Sequence, residues 1–496
     1  MGEENEANLK SFLEWAASLG ISDSPDPHSP SPSCLGHSLS VSHFPQAGGR
    51  GFAAVRDIKK GELVLRVPKA ALLTSDALIS KEYNLSASLD KYPLLSSTQI
   101  LSIALLHEVS KGRSSWWYPY IKQLPRSYDL LFNFNQFEVE ALQIDDAIWT
   151  TEKAVRKCKM EWEEASPIMS ELHLKPQIVT FKAWLWASAT ISSRTMHIPW
   201  NTAGCLCPVG DFFNYTPPGE EFDHSGNSST CGSGSFSNTI SSCEGDITAS
   251  STQELIEENQ DRLIDAGYSE AASSYCFYSG TDYARGDQIL LSYGTYTNLE
   301  LLEHYGFLLN ENPNDKAFIP LEPEMYSLYK WPRESLYISQ DGKLSFALLL
   351  TARLWVTPRS KRRSIKSIIC SGFQISAENE VAVAKWIAEK CRLLLRGYAT
   401  SIEEDELLLC IIEEIQNYHK LSENIESSAA LNDEIWCILE GNNVKRDELC
   451  GKLNISVKTR RSIDRWKLVV QWRCSYKKIL CNCISNYNKM LDNNFC

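Results

Sequence analysis

Apolar positions recur at helical spacing in the first twenty residues, and the period then changes. In NLKSFLEWAASLG, Asn8 to Gly20, the residues Phe12, Leu13, Ala16 and Leu19 share one face and Gly20 ends the run, which predicts an amphipathic helix. SDSPDPHSPSPS then reads as a Pro/Ser loop. In AAVRDIKKGELVLRVP polar and apolar positions alternate between Gly and Pro boundaries. A strand, a turn at Lys60-Gly61 and a second strand ending at Pro68 are expected. From about Ala71 to Thr180 the helical period returns, clearest in STQILSIALLHEVSKG, and TFKAWLWASATISSR is expected to be a helix ending near Arg194.

Between Gly219 and Ser250 the pattern vanishes into Ser, Gly and Thr. Such a stretch has too little apolar surface to offset its ordering entropy. A disordered insertion is expected there, continuing through a short acidic helix, TQELIEENQDRLIDAGY, to about residue 270. SSYCFYSGTDYARGDQILLSYG then returns to strand, turn and strand, with the turn at Ala284 to Asp287. It echoes the first unit: VRDIKKGELVL and TDYARGDQILL both place a basic residue and Gly before an acidic residue and an apolar run. A helix, TNLELLEHYGF, follows. From about Asn314 the chain is mostly helical, and TSIEEDELLLCIIEEI opens on a capping box of Ser401 with Glu404.

With 496 residues the chain has room for two or three domains. The expected division is an N-terminal helix and loop over 1–32, an α+β domain over 33–310 with a helical insertion at about 71–180, and a helical domain over 311–496. A net charge of −13 argues against a broad basic face for nucleic acid. The short basic runs KRRSIK, VKRDE and VKTRRSIDRWK read as solvated helix faces. No stretch approaches the roughly 18 apolar residues of a membrane span, and the acidic start MGEENEANLK is unlike a signal or transit peptide. An intracellular protein, in cytoplasm or nucleus, is expected, with its 16 cysteines reduced. Cys205 and Cys207 lack a partner pair at zinc spacing. Cys474, Cys481, Cys483 and Cys496 lie in or beyond an apolar helical pattern, so packed thiols are expected and no metal site.

One motif invites a dinucleotide. Gly49-Arg50-Gly51-Phe52-Ala53-Ala54 satisfies G-x-G-x-x-A, but SVSHFPQA before it carries no buried-strand run. A second strand follows instead of a helix, and the acidic ribose ligand is missing. The glycines belong with three other stretches: SSRTMHIP (Ser192 to Pro199), PVGDFFNYTPPG (Pro208 to Gly219) and LLSYGTYTNLELLEHYGF (Leu290 to Phe307). Singly, each is equally a surface turn, a satisfied amide, a structural ion pair or a core aromatic.

In this order the four stretches resemble the SET-domain methyltransferases, in the class similar to Rubisco large-subunit lysine methyltransferase. The resemblance extends over FLEWAASLG, SSWWYPYIKQLP, GYATSIEEDELLL and VVQWRCSYKKIL, and so over most of the chain. It implies a SET β-fold with a pseudoknot that brings Tyr293 beside Asn214, a helical insertion, and an all-α C-terminal domain that binds a protein substrate. It also implies a monomer and S-adenosylmethionine (AdoMet) as cofactor. Gly49, Arg50 and Gly51 would approach AdoMet, Arg194 would pair with its carboxylate, and Asp211, Asn214, Tyr215 and Tyr293 would complete its site. Tyr293 would be the principal catalytic residue, with Tyr305 in the aromatic wall around the substrate. Ser193 and Asp211 would offer carbonyls to the incoming nitrogen, and Met196 would line the substrate side.

Three departures stand out. Tyr215 replaces a His whose side chain ties the threaded segment, Gly48 replaces an acidic residue, and Cys474-Ser475-Tyr476 replaces Glu-Gly-Glu. A related histidine methyltransferase of actin carries Asn and Trp where this chain has Met196 and Gly210, which favours lysine as the target. Lysine methylation of a non-histone protein is therefore expected. The alternatives are histidine methylation, a catalytically weak SET-fold binding module, and the nicotinamide enzyme of the glycine motif.

Overall fold

Phe12 and Ala16, one turn apart on helix α1 (Glu3–Ser18), are both fully buried, and Gly20 closes the helix at φ +80°. The computed structural model describes residues 3–24, 33–45, 49–218, 266–329, 331–365, 373–418, 429–442, 444 and 456–493. The loop at 25–32, Gly48, the insertion through residue 265, Lys366, most of VKRDE and Cys496 lie outside the described residues.

After α1 come β1 (Leu39–Phe44), β2 (Gly49–Ala54) and β3 (Leu63–Pro68). The helical insertion holds α2 (Ser75–Ile79), α3 (Tyr83–Leu89), α4 (Ser97–Lys111), α5 (Tyr118–Ile121), α6 (Gln136–Glu140) and α7 (Asp145–Glu171), leading to α8 (Phe181–Arg194). Ser96 and Gln99 close a reciprocal capping box on α4, which fixes where its apolar run begins. The chain continues through β4 (Thr195–Ile198), β5 (Asn201–Leu206), β6 (Asn214–Tyr215), β7 (Ala266–Ser269), β8 (Ser274–Tyr278), β9 (Gln288–Leu291) and α9 (Asn298–His304). Beyond lie β10 (Lys316–Ala317), α10 (Pro323–Tyr329), β11 (Ile338–Ser339), α11 (Phe346–Val356), α12 (Ala377–Gly397), α13 (Ile402–Tyr418), α14 (Ala429–Gly441) and α15 (Val457–Asn493).

The two echoing strand units do not fold as hairpins. They pair with each other: β2 runs antiparallel to β9, β3 to β8, and Ile58 bridges Tyr283 between them. The two larger sheets have orders β1-β2-β9-β6 and β3-β8-β7, and β4 with β5 and β10 with β11 form two-stranded sheets. β1 is a strand that the polar stretch SVSHF concealed, because it is half-buried at the sheet edge. β7 corrects the tail of the expected acidic helix, since Ala266 to Ser269 pair with β8 in register Ala266 with Phe277. β6 pairs parallel with β9, Asn214 opposite Leu290, and this is the crossing that the pseudoknot requires.

Two large hydrophobic cores organise the described residues. The first takes Phe12 from α1, Phe52 from β2, Leu101 from α4, Trp184 from α8 and Phe277 from β8. The N-terminal helix is thus part of the first domain's core. The second core joins Leu408, Ile435 and Trp466 of the C-terminal helices to Leu131, Leu142 and Ile144 of the helical insertion, so packing crosses the expected boundary at 310.

The segments SIEEDELLL and VVQWRCSYKKIL meet in a buried ionic cluster. Asp405 accepts from Arg473 Nε at 2.9 Å and from Lys477 Nζ at 2.6 Å, and Arg473 Nη1 also donates to the Ala141 carbonyl at 2.6 Å. Tyr476, one of the departing residues, donates to the Phe318 carbonyl at 2.6 Å and accepts from its N–H at 3.0 Å. Removing one partner of such a cluster leaves uncompensated buried charge. Asp405→Ala is expected to lower unfolding stability by about 3–5 kcal/mol, read as a shifted midpoint in urea titration.

Candidate functional site

Segments distant in the chain converge on one cavity of about 840 Å³. β2 supplies Arg50 and the end of α8 supplies Ser193 and Arg194. A short turn, Gly210 to Phe212, and β6 supply Asp211, Asn214 and Tyr215. Tyr293 follows β9, and Tyr305 caps α9. The turn before Asp211 is strained: Val209, β-branched, sits at φ +71°. A Cβ on Gly210 would lie 2.5 Å from Phe277 Cζ and 2.7 Å from Cys207 Sγ, so this turn is pressed flat against the core.

Asp211 is the electrostatic centre, with its side chain 2% exposed. Its Oδ2 accepts from the Tyr120 hydroxyl at 3.0 Å and from Arg194 Nη1 at 3.1 Å, and the same Nη1 donates to the Asp211 carbonyl at 2.9 Å. Asp211 Oδ1 and Arg194 Nε are buried without a hydrogen-bond partner. Burial pulls the Arg194 guanidinium's pKa down, but Asp211 and the hydroxyls of Tyr128 and Tyr120 together hold it above its ordinary value.

The aromatic wall is built on the threaded segment. The Tyr293 hydroxyl donates to the Phe213 carbonyl, and its ring stands 5.2 Å from the rings of both Tyr215 and Tyr305. Tyr305 donates to the Tyr296 hydroxyl at 3.3 Å. Burial raises both the Tyr293 and the Tyr305 hydroxyl well above the ordinary tyrosine range, so each stays protonated at neutral pH. A second cavity, of about 200 Å³, is lined by Met196, His197, Leu291 and Tyr296 and shares Ser193, Arg194, Asp211, Tyr293 and Tyr305 with the first. Five residues therefore form a common wall between a large chamber and a small one.

The structure gathers most of the expected residues around the two cavities. Gly49 takes φ +80° but lines neither cavity. Gly51 makes room for a side chain: a Cβ there would lie 2.6 Å from Asn214 Nδ2. The Asp211 carbonyl, expected to face an incoming nitrogen, is engaged by Arg194, and the carbonyl that meets Tyr293 belongs to Phe213. Gly210 faces Phe277 and Cys207 and lines neither cavity, whereas Met196 lines the small one. Tyr215 takes over the tie expected of a histidine, since its hydroxyl donates to the Gly294 carbonyl at 2.8 Å. Tyr120, Gln123, Tyr128 and Phe213 were not singled out from sequence. The first two lie in SSWWYPYIKQLP, where position in the motif was visible but contact with Asp211 and Arg50 was not.

Comparison with known proteins agrees with this fold. The chain is 50% identical to Protein SET DOMAIN GROUP 40 of Arabidopsis thaliana over 492 residues, 98% of this chain and 96% of that protein. It is 25% identical to the actin-histidine N-methyltransferase of Mus musculus over 394 residues, which cover 73% of this chain and 59% of the mouse protein. The family described as Rubisco LSMT substrate-binding matches residues 328–480. Among solved structures, the SET domain of LSMT bound to lysine and AdoHcy superposes with a TM-score of 0.57 at 17% identity, covering 97% of this chain and 91% of that one. Rubisco LSMT bound to AdoMet gives 0.53 at 16% identity, covering 97% and 92%.

Burial raises the Tyr215 hydroxyl to about 12 from an ordinary value of 10. With the folded pKa above the unfolded one, its contribution to stability is whole below pH 10 and is lost as pH rises toward 12. Tyr215→Phe strands the Gly294 carbonyl and is expected to cost about 1–3 kcal/mol at pH 8. The deficit should narrow between pH 10 and 12, measured by denaturant unfolding at each pH.

Proposed function

The chain belongs to the SET-domain family that includes Protein SET DOMAIN GROUP 40, and on that premise we propose that it is an AdoMet-dependent protein-lysine N-methyltransferase acting on a non-histone protein. The observation that carries this reading is the five-residue wall shared by two cavities of unequal size. A transfer reaction needs donor and acceptor to approach one another in line from opposite sides, and such a wall offers that approach. The large chamber suits a zwitterionic, cationic nucleoside: arginines, a buried Asp211 with one oxygen unpartnered, and the Asn214 carboxamide line it. AdoMet, when bound there, supplies a methyl group on a positively charged sulfur.

The remaining chemistry belongs to the protein. The small chamber takes the target side chain between Met196, Leu291 and tyrosine rings, beside Ser193, Thr195, His197 and the Arg194–Asp211 pair, and burial there favours the neutral amine with its lone pair free. The Tyr293 hydroxyl keeps its proton and is aimed by the Phe213 carbonyl, so it positions the reacting groups without itself titrating. Tyr305 closes the wall, and the C-terminal helices hold the substrate protein, in keeping with the family match over residues 328–480. Histidine methylation is the second reading, on the strength of the actin-histidine relatives at 25% identity.

With methyl-labelled AdoMet and a cell extract, label is expected in methyl-lysine after hydrolysis, and Tyr293→Phe is expected to slow transfer about a hundredfold. Label in methyl-histidine would establish the second reading. AdoMet binding without transfer to any protein would leave a binding module. The transfer rate is also expected to rise with pH as the amine loses its proton and to show no descending limb below pH 10, because burial holds Tyr293 protonated there.

A further inference from the structure

A third cavity, of about 210 Å³, opens where α4, α7, α8 and α9 meet, and among the described residues none that lines it lines either chamber. It backs onto their common wall, since Ser192 and His304 line it and directly precede Ser193 and Tyr305. Trp184 and Ser188, one turn apart on α8, bring the same helix face to it. Trp184 is 1% exposed, yet neither its Nε1 nor the Ser188 Oγ has a hydrogen-bond partner. Both lie beside Cys158 of α7. Burial pushes that thiol up to about 11, a rise that the Ser188 hydroxyl and the Trp184 N–H lessen. The sulfur therefore stays protonated at neutral pH, a weak acceptor and a poor nucleophile. Other polar groups of the lining are already engaged. The Gln99 amide donates to Glu164 Oε2 at 2.8 Å, Ser102 Oγ to the Thr98 carbonyl at 2.9 Å, and Ser192 Oγ to the His304 carbonyl at 3.2 Å. Two adjacent donors are left that call for one acceptor.

We propose that this cavity is a second ligand site, which takes a small uncharged carbonyl compound and sets its oxygen against Trp184 Nε1 and Ser188 Oγ. A carbonyl oxygen carries two lone pairs and can answer both donors. Charge excludes a carboxylate or a phosphate: Glu161 and Glu303 line the cavity, and its lysine, Lys157, lies 3.9 Å from Glu161. Phe132, Ala154 and Ile191 offer apolar surface to the body of the ligand. The volume falls below the roughly 300–1,000 Å³ of drug-sized pockets, which limits the occupant to a single ring or a short chain. Both donor atoms are buried, and Cys158, which lines the cavity beside them, is the side chain whose rotation admits the oxygen.

The test titrates benzamide into the full chain labelled with nitrogen-15 at its tryptophans and follows the Trp184 indole N–H cross-peak. That cross-peak is the one lost in Trp184→Phe or, should this variant fail to fold, the one that Ser188→Ala displaces most. It is expected to move downfield and to saturate. Ethylbenzene, which has the ring without the carbonyl, should bind about tenfold more weakly, and Ser188→Ala should weaken benzamide about fivefold. Ala154→Leu, which fills the cavity, should abolish the saturable shift. Cys158→Ala, which uncovers both donors, should bind benzamide more tightly than wild type, an outcome that a merely structural thiol does not produce. The proposal is overturned if the cross-peak stays in place up to the solubility limit of benzamide in both wild type and Cys158→Ala. Equal binding of ethylbenzene, or undiminished binding by Ala154→Leu, would overturn it as well.

Discussion

The parallel pairing of β6 with β9 is the constraint on which the rest of the site depends. Parallel neighbours cannot be joined by a tight turn, and here residues 216–287 separate the two strands in sequence. Two residue pairs suffice for the contact because β9 is also held by β2 on its other edge. Once Leu290 lies opposite Asn214, the chain beyond β9 passes close to Phe213 and Tyr215. The Tyr293 hydroxyl then reaches one carbonyl while the Tyr215 hydroxyl reaches another. These two bonds run in opposite directions between the same two segments, so neither segment can slide without breaking one of them. A single slip in register would also turn Ile289 and Leu291 out of the core, which makes the pairing all the more exclusive.

Charge is used in the same economical way in both halves of the molecule. Asp211 holds Tyr120 and Arg194, while Asp405 holds Arg473 and Lys477, and each carboxylate is sealed from water. Neither cluster is a cheap source of stability, since desolvating the ions costs about what their attraction returns. What they supply is direction. An apolar replacement would pack, but it would not fix the orientation of a guanidinium or of the Asp211 carbonyl. The strained φ at Val209 belongs to the same account, because the turn that delivers Asp211 has no room for a side chain at Gly210.

How far the sequence was legible follows from the range of each signal. Local signals were read correctly: the end of α8 at Arg194, the capping box at Ser401 and Glu404, and the turn between Ala284 and Asp287. Pairing was not. Two strand–turn–strand units looked like two hairpins, and nothing within either unit says that its strands seek partners in the other. β1 was missed because an edge strand need not alternate strongly. At the site, the motifs named the side chains but not their competitors. That Arg194 would be engaged by Asp211, or that the space beside Gly51 would be filled by Asn214, depends on contacts between segments more than 15 residues apart. Tyr215 is the instructive case, since a departure from the family pattern pointed to an altered side-chain contact. A tyrosine is longer than a histidine, and its hydroxyl reaches the Gly294 carbonyl at 2.8 Å.

The C-terminal helices also bear on the cavity itself. Asp129 lines it, and burial raises its carboxyl above the ordinary range, an effect opposed by Arg465 of α15. Arg465 is in turn fixed by two bonds to the buried Glu138 of α6, through Nε at 2.8 Å and Nη2 at 3.0 Å. The backbone of Asp129 packs so closely on Gly306 that a Cβ there would lie 3.0 Å from it, and Gly306 follows Tyr305 of the shared wall. A continuous set of contacts therefore runs from α15 through Arg465 and Asp129 to the residue beside Tyr305. Leu131, Leu142 and Ile144 reinforce it by lodging in the second core. Cutting the chain near residue 310 would strip Asp129 of its cation and leave those three apolar side chains in water. The helical domain is thus a structural part of the cavity, packed in a fixed relation to the wall between the two chambers.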